Sequence, residues 1–360
     1  MDELQISTPG RVCLFGEHQD YLNLPIIASA ISLRISVAGR KVAKKSVLLH
    51  LPDIGREERF DLKPDLAYDN DRDYFKSSFN VLQRHGFTFS SGFECVVHGE
   101  IPINAGTSSS SALVVTWIKF LSMMSDQHRL LSPEEIAQFA YEAEVLEFSE
   151  PGGMMDQYST SLGGVIYLES YPEIKVKKVP TSLGNFVLGN SGEPKDTKTI
   201  LARVKDRTLK VVKELRRSFP DFSLQKVSMT ELDMYSKNLD REQIDLLRGT
   251  IKNRDITRRA IKVLETFPVD HKLVGQLINE HQEVLRDVLR ISTPKIDRMI
   301  ESSLEAGAYG AKINGSGGGG CMFAYAPENP GKVKEAIEKA GGEAFIIKVD
   351  EGTRVDKELD

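Results

Sequence analysis

The chain has 360 residues, of which 40% are hydrophobic and 28% are charged. These values are typical of a globular protein and exclude a disordered or fibrous chain, and the length suits two packed domains or one large α/β unit. The formal net charge is -5 and no long basic block occurs, so neither nucleic acid nor an anionic membrane surface is an expected partner.

The N-terminus and the cysteines favour a cytoplasmic protein. The first residues, MDEL, are acidic where an export signal needs a basic patch and an apolar stretch. No apolar run reaches the roughly 20 residues that a membrane span needs. Cys13, Cys95 and Cys321 are odd in number, widely spaced and without a metal-ligand pattern, so we expect reduced thiols in the core.

A cluster of polar residues follows a short apolar run in the first motif, GRVCLFGEHQDY (residues 10–21). Glu17, His18 and Asp20 can bind several hydroxyls together, as carbohydrate recognition demands. A metal site is disfavoured because no second histidine lies nearby. A solvated charged loop is the simpler alternative.

The next segment predicts a sheet with helices packed on it. Apolar and polar residues alternate over residues 31–37, which is the pattern of a half-buried strand, and we expect antiparallel pairing. Residues 93–98 have the composition of another strand. Residues 73–84 predict a helix that ends before Gly86.

The second motif, PINAGTSSSS (residues 102–111), precedes a segment that is apolar nearly all round, residues 110–124. We expect a helix that is buried on most sides. Small residues at a helix N-terminus let backbone N–H groups approach an anion, and serine hydroxyls reach a phosphate or its Mg²⁺, so the motif predicts a triphosphate cradle. A serine cluster that only caps the helix is the alternative. P-loop and dinucleotide-binding patterns are absent from this motif.

The rest of the chain alternates helices and strands. The sequence GMMDQY (residues 153–158) lies between a predicted helix and a predicted strand, and a domain boundary is placed near residue 180. The predicted helices are at residues 133–148, 197–217, 230–238, 241–267, 271–289, 294–306 and 330–340. The predicted strands are at residues 164–168, 319–326 and 344–349. The fold class is therefore α+β, with domains at residues 1–180 and 181–360.

The third motif, NGSGGGGC (residues 314–321), leads directly into an apolar strand. A flexible surface linker of this composition has polar flanks. We therefore expect an ordered turn that packs closely against another element.

In this order, the motifs resemble the signatures of the GHMP kinase superfamily, the group of galactokinase, homoserine kinase, mevalonate kinase and phosphomevalonate kinase. The first motif and GMMDQY are most similar to the galactokinase patterns GRVNLIGEHTDY and GIMDQF. The resemblance implies two domains, the first related to ribosomal protein S5 domain 2, with ATP in the cleft between them. It also implies an ATP- and Mg²⁺-dependent kinase, a monomer or homodimer, that phosphorylates a monosaccharide at its anomeric C1 hydroxyl.

The resemblance further implies roles for individual residues. The catalytic pair is Asp156 and Arg11. The acceptor site is implied to comprise Arg11, Glu17, His18, Asp20, Gly153 and Asp156. ATP is implied to contact Ala105, Gly106, Thr107, Ser108, Ser109, Ser110, Gly315, Ser316, Gly317 and Gly318. The implied Mg²⁺ ligands are Ser109 and Glu144.

Other interpretations of two of these acids follow from the residues themselves. Glu147 lies three residues after Glu144 on one helical face and is the alternative metal ligand. Asp156 is alternatively a cap for a helix that begins at Gln157.

Three departures from the galactokinase pattern bear on the substrate. Leu22-Asn23-Leu24 replaces the usual Asn-Asp-Gly turn, Asn104 stands at a glycine position, and residues 190–199 lack the tyrosine that galactokinases offer their sugar. A mevalonate-type kinase is the enzymatic alternative, although that family usually has Lys where Arg11 stands. A catalytically silent sensor of sugar and ATP is the alternative from another class.

Overall fold

The computed structural model describes residues 3–103, 105–150, 152–195, 197–235 and 239–358. Asn104, noted above as a departure, lies outside these residues. The strands are β1 Leu4–Phe15, β2 Ile26–Val42, β3 Ser46–Leu51, β4 Arg56–Asp61, β5 Gly92–Gly99, β6 Val165–Glu169, β7 Lys175–Lys178, β8 Phe186–Asn190, β9 Gly310–Ile313, β10 Cys321–Tyr325, β11 Glu343–Ile347 and β12 Arg354–Lys357. The helices are α1 Tyr74–Arg84, α2 Ser109–Met124, α3 Pro133–Tyr141, α4 Met155–Leu162, α5 Thr197–Leu201, α6 Arg207–Ser218, α7 Leu232–Tyr235, α8 Arg241–Leu264, α9 His271–Glu283, α10 Pro294–Glu305 and α11 Pro330–Lys339.

The first sheet is built around the long strand β2. Its order in the described chain is β12-β1-β2-β5-β3-β4, and β6 pairs with β2 and with β7. Residues Ile26 to Ser29 of β2 pair with β6, and Ile35 to Val42 pair with β5, both antiparallel. The antiparallel pairing expected for residues 31–37 is therefore confirmed.

The second sheet contains β11, β8, β10 and β9 in that order, all antiparallel. The chain passes from the first sheet to this one between β7 and β8. It later returns, because β12 pairs with β1. The last strand thus lies with the first sheet rather than with the elements between residues 181 and 349, which differs from the division expected from the sequence.

Helix α2 is the central helix of the first half. Trp117 on α2 is fully buried, stacks on Phe120 and donates a 3.1 Å hydrogen bond from its indole to the Phe75 carbonyl. A second cluster of buried residues joins the two halves, since it includes Leu14 and Phe15 of β1 together with Phe323 of β10. The two sheets are therefore held by a shared apolar interface.

Three of the predicted helices contain a wider turn that periodicity did not reveal. Residues 142–146, 202–206 and 284–288 adopt π-helical hydrogen bonding and follow α3, α5 and α9. Insertions of this kind often occur at functional sites. The helix expected at residues 230–238 is described only as the short α7, and residues 236–238 lie outside the described chain.

Local side-chain chemistry accounts for several of the helix starts. Ser132 and Glu135 form a capping box at α3, and Asp240 and Gln243 form another at α8. Each box satisfies two backbone N–H groups that have no partner within the helix. None of the described helices combines the length and the apolar character that crossing a membrane requires.

Candidate active site

The sequence motifs meet at a cleft between the two sheets. A smaller cavity of about 270 Å³ and a larger one of about 850 Å³ open into this cleft. Arg11, Ser110, Asp156, Gly315 and Ser316 line both cavities. Four segments that are distant in the chain thus contribute to one continuous site.

Asp156 and Arg11 form an ion pair inside the cleft. Arg11 extends from β1, and both its Nε and Nη2 atoms lie 2.8 Å from Oδ1 of Asp156. Burial lowers the pKa of Arg11, but the negative charges of Asp156 and Glu17 outweigh this effect and the net pKa is raised. Asp156 lies in the first turn of α4, where the helix N-terminus also favours a negative charge.

The cap interpretation of Asp156 is wrong. Helix α4 begins at Met155, its N-cap residue is Met154, and no side-chain hydrogen bond caps it. The Asp156 carboxylate points instead to Arg11.

The phosphate loop, residues 105–110, is bonded to protein through its carbonyl groups. The Ala105 carbonyl accepts 2.8 Å from the Cys321 amide, and the Thr107 carbonyl accepts 3.1 Å from the Arg11 amide. The Gly106 carbonyl accepts from the Arg11 guanidinium and, at 2.7 Å, from Nδ2 of Asn314. The loop is therefore fixed by both halves of the protein.

Some of the predicted ATP-binding residues face the larger cavity and others face the protein. Gly106 and Ser108 line it together with Ser109 and Ser110. Ala105 and Thr107 do not line it, because both are buried behind the loop at 3% and 0% exposure. The buried hydroxyls of Thr107 and Ser108 have no hydrogen-bond partner in the described structure, so the loop has spare polar capacity beside the cavity.

Glu144 is brought to the cleft by the π-helical segment after α3. Its carboxylate lines the smaller cavity and accepts a 2.6 Å hydrogen bond from Nε2 of Gln157. Burial raises its pKa, and the nearby hydroxyls of Ser111 and Ser110 oppose that shift. Glu147 is turned away from the cleft, where it contacts Arg84 and the Tyr68 hydroxyl.

The donor set suits Mg²⁺ held jointly with nucleotide. Among the described residues, no group of three or more His, Cys, Asp or Glu side chains is arranged to hold a metal by itself. Mg²⁺ in kinase sites is typically bound through one or two carboxylates, waters and substrate phosphates. Glu144 and the serines at the start of α2 fit that pattern.

Glu17 is paired with a lysine of the second sheet. Nζ of Lys312 lies 2.9 Å from Oε2 of Glu17 and 2.9 Å from the Cys13 carbonyl, and both side chains are at most 3% exposed. Glu17 lines the smaller cavity, but one of its oxygens is already engaged. The pair joins the first motif, residues 10–21 and here named the acceptor motif, to β9.

Both ring nitrogens of His18 are engaged by the protein. Nε2 lies 3.0 Å from the Ser316 carbonyl, and Nδ1 lies 2.6 Å from the Tyr21 hydroxyl. Burial lowers the pKa of His18 and favours the neutral ring. Because a carbonyl only accepts, Nε2 carries the proton and Nδ1 accepts from Tyr21. His18 therefore forms a wall of the cavity without a free hydrogen-bonding atom for a hydroxyl.

Asp20 and Gly153 are in direct contact. A β-carbon on residue 153 would overlap the Asp20 carboxylate, so only glycine fits there. Oδ1 of Asp20 accepts 2.8 Å from the Tyr21 amide, and Asp20 lines the smaller cavity. Burial and then the charge of Asp156 raise the pKa of Asp20 to about 6.

The glycine loop, residues 314–320, contributes only its first part to the cleft. Gly315 and Ser316 line both cavities. Gly317 and Gly318 do not, because they pack on Ile291: the Gly318 amide donates 2.7 Å to the Ile291 carbonyl, and a side chain at 317 would collide with that residue. Their role in this structure is close packing.

Sequence reasoning missed several residues that line the cleft. Lys195 and Leu201 reach the larger cavity from the segment around α5. Arg72 lines both cavities and pairs with Glu150 at 2.6 Å. In the sequence, Lys195 stands directly before the helix predicted at residues 197–217, which is the signal that points to it. No sequence signal distinguishes Arg72 from other surface arginines.

A third, more apolar cavity of about 390 Å³ adjoins the start of α2. Ser109 and Ser110 line it, as do six aliphatic side chains of the first half: Ile35, Leu51, Ile54, Val97, Ile103 and Leu113. Its position beside the phosphate loop leaves room for an apolar ring system.

The models of known protein families match the segments of the chain that form this cleft. The galactokinase galactose-binding signature matches residues 2–41, the GHMP kinases N terminal domain matches residues 73–164, and the GHMP kinases C terminal model matches residues 262–344. Together these stretches cover more than half of the chain.

Relatives of two kinds are similar over most of the length. Mevalonate kinase of Thermococcus onnurineus is 28% identical over 98% of each chain. Galactokinase of Pasteurella multocida is 28% identical over 90% of this chain and 85% of its own. The crystal structure of Lactococcus lactis galactokinase complexed with galactose has a TM-score of 0.87 at 22% identity, with 98% of this chain and 95% of that chain covered, which shows a common fold.

The three family matches follow each other in chain order and contain the acceptor motif, the phosphate loop with Asp156, and the glycine loop. The same segments build one cleft with a buried Arg11–Asp156 pair. The chain therefore belongs to the GHMP kinase superfamily and is an ATP-using phosphotransferase that acts on an alcohol group.

Proposed function

We propose that the protein transfers the γ-phosphoryl group of ATP to a hydroxyl of a monosaccharide, at the anomeric C1 position. The observation that carries this proposal is the charge of the smaller cavity. Five carboxylates line it, whereas its two cations, Arg11 and Arg72, are already paired with Asp156 and Glu150. Carboxylates accept hydrogen bonds from neutral hydroxyls and repel an anionic acceptor.

The geometry supports separate roles for Asp156, Asp20 and the apolar walls of the smaller cavity. Asp156, held in position by its ion pair with Arg11, orients the acceptor hydroxyl and takes up its proton late in the transfer. Asp20 offers its second carboxylate oxygen to another hydroxyl of the substrate. The walls of the smaller cavity include Val145, Met155 and Leu201, against which the apolar face of a sugar ring can pack.

We propose that ATP occupies the larger cavity and the apolar cavity. Its phosphates lie against Gly106, Ser108 and Ser110, and its base lies in the apolar cavity beside them. Glu144 and Ser109 would hold Mg²⁺, which would supply neutralisation of phosphate charge. The helix N-terminus of α2 adds positive potential at the same place.

The second candidate is a mevalonate-type kinase, which is favoured by the match to mevalonate kinases over 98% of the chain. Mevalonate carries a carboxylate, and the smaller cavity presents Asp20 and Glu144 besides the three paired acids, Glu17, Glu150 and Asp156. Burying a further negative charge there is unfavourable. A neutral sugar is the better fit.

A substrate panel with ADP readout tests the proposal. We expect ADP release with one or more hexoses, 6-deoxyhexoses, amino sugars or heptoses, and little with mevalonate; NMR of the product then identifies the phosphorylated hydroxyl. Turnover with mevalonate and with none of the sugars would overturn the acceptor class. ADP release with any acceptor excludes a silent sensor.

A further inference from the structure

Lys195 is inserted between the phosphate loop and the glycine loop. A β-carbon on Gly106 would collide with the Lys195 ammonium group, and a β-carbon on Gly315 would lie 3.1 Å from it. The same lysine lines the larger cavity together with Arg11 and Asp156. Its charged end is therefore located where both loops approach the catalytic pair.

The charge of Lys195 is not matched by a carboxylate of the described chain. Arg11, Arg72 and Lys195 are the described cations that line the larger cavity. Arg11 pairs with Asp156 and Arg72 pairs with Glu150, but no described carboxylate lies within ion-pair distance of Lys195. Burial and then the charge of Arg11 lower the pKa of Lys195 to about 8, so it is mainly charged at neutral pH. A half-buried cation without a matching carboxylate favours an anionic ligand.

We propose that Lys195 is a further catalytic residue whose ammonium group contacts the γ-phosphoryl oxygens of ATP and compensates their charge during transfer. This rests on the function proposed above. In the step, the bond from the γ-phosphorus to the bridging oxygen breaks and leaves its electron pair on ADP. A bond to the acceptor hydroxyl oxygen forms, and the hydroxyl proton passes to Asp156.

We assign the contact to the γ-phosphoryl group because of the residues that surround Lys195. Lys195 lines the larger cavity together with Arg11 and Asp156, and its ammonium group lies against Gly106 and Gly315, so it is at the acceptor end of the triphosphate. The base and the α-phosphate lie towards the apolar cavity, which Lys195 does not line. A cation at the γ-position acts on charge that develops in transfer.

Direct binding of nucleotides tests the contact without an acceptor. Lys195→Met is compared with the unaltered protein by titration calorimetry with AMPPNP or ADP, each with Mg²⁺. We expect AMPPNP to bind about tenfold or more weakly and ADP to change less than about twofold. Lys213→Met, which alters an exposed lysine of α6, leaves both affinities unchanged. An equal loss for the two nucleotides, or no loss, overturns the proposal.

Proton uptake gives a second readout. At pH 8.5 the free Lys195 is largely neutral, and a nearby triphosphate favours its charged form, so AMPPNP binding takes up protons. The charged and titratable groups around Lys195 are Arg11, Glu17, Asp156 and Cys321, with Arg72, Glu150 and Asp206 on the other walls of the larger cavity. Lys195→Arg remains charged, so its binding takes up fewer protons. Equal uptake by both proteins contradicts the proposal, and this comparison remains available if the methionine variant fails to fold.

The two proposals fail in different ways. The binding experiments contain no sugar, so inactivity towards every sugar in the panel overturns the acceptor class and leaves the Lys195 result unaffected. Conversely, equal responses to AMPPNP and ADP overturn the role of Lys195 and leave the acceptor class standing. With an accepted substrate, Lys195→Met is expected to lower kcat by about 10² to 10³.

Discussion

Asp156 is held in place by its ion pair with Arg11, so an isosteric change should remove the charge with little rearrangement. We expect Asp156→Asn to lower kcat by about 10² to 10⁴, because the amide neither stabilises nor accepts the hydroxyl proton. AMPPNP affinity should stay close to that of the unaltered protein. Steady-state kinetics and calorimetry measure the two effects, and turnover near the original rate would contradict the catalytic assignment.

Ionisation of the buried Asp20 side chain reduces the stability of the folded protein. Its pKa is raised to about 6, so the folded protein holds this proton more tightly than the unfolded chain does. Stability therefore decreases as the pH rises from about 4 to about 6, and the full cost is present above pH 6.

The amide in the Asp20→Asn variant cannot ionise. We therefore expect this variant to have a higher melting temperature than the unaltered protein above pH 6, and the difference to become smaller towards pH 4. The same change should raise the KM for the acceptor, because the amide replaces a carboxylate that accepts from a hydroxyl. Thermal unfolding across pH 4 to 8 measures the first effect. A difference in melting temperature that does not vary with pH would speak against the raised pKa.

At the scale of elements, the end of β9 fixes the relative position of two active-site segments. Oδ1 of Asn314 accepts 2.9 Å from the Cys13 amide on β1, and Nδ2 donates 2.7 Å to the Gly106 carbonyl in the phosphate loop. Asn314→Ala should cost about 1 to 3 kcal/mol of unfolding free energy, because it leaves a buried backbone amide without a partner. It should also lower kcat, since Arg11 contacts the same carbonyl.

Asn279 on α9 provides a matched control at the other end of the strand. Its side chain also bridges two backbone groups, the Tyr309 carbonyl and the Ala311 amide. We expect Asn279→Ala to lose a comparable amount of stability while kcat is retained. Chemical denaturation and kinetics on both variants separate the effects, and an equal loss of kcat would show that Asn314 has no special link to catalysis.

At the scale of the whole molecule, the C-terminal segment contacts two elements that are far from it in the sequence, β2 and α4. Arg34 on β2 donates 2.9 Å to the Asp350 carboxylate and 2.8 Å to the Gly352 carbonyl. The Thr353 amide donates 3.0 Å to the Ser161 carbonyl on α4, the helix that carries Asp156. The C-terminal segment thus connects the first sheet to α4, the helix that carries Asp156.

Arg34→Met is expected to lower the unfolding free energy by about 3 kcal/mol, because it removes the ion pair to Asp350 and the hydrogen bonds to the Ser7 and Gly352 carbonyls. Arg40→Met on the same strand is the control. Arg40 pairs with Glu94, both side chains are more than one-third exposed, and such pairs contribute less than about 1 kcal/mol. Denaturant unfolding compares the variants, and similar losses for both would refute a specific role of the C-terminal segment.

The sequence by itself determined the fold class, the family and most helices and strands. The nearly continuous apolar pattern identified α2 as a buried helix, and the small residues before it predict a phosphate loop, because these features depend on local patterns. The resemblance of the motifs correctly indicated a GHMP kinase. It also named Arg11 and Asp156, which the structure brings together over a separation of 145 residues.

Tertiary structure alone decided which members of each motif face the cleft. Gly317 and Gly318 belong to a glycine loop but pack on Ile291, and His18 belongs to the acceptor motif but has both nitrogens occupied. Lys195 belongs to none of the sequence motifs. Its place in the cleft depends on the packing of two distant loops around it. A local pattern specifies which residues are polar or flexible, whereas the packing of remote segments decides which polar groups remain available to a ligand.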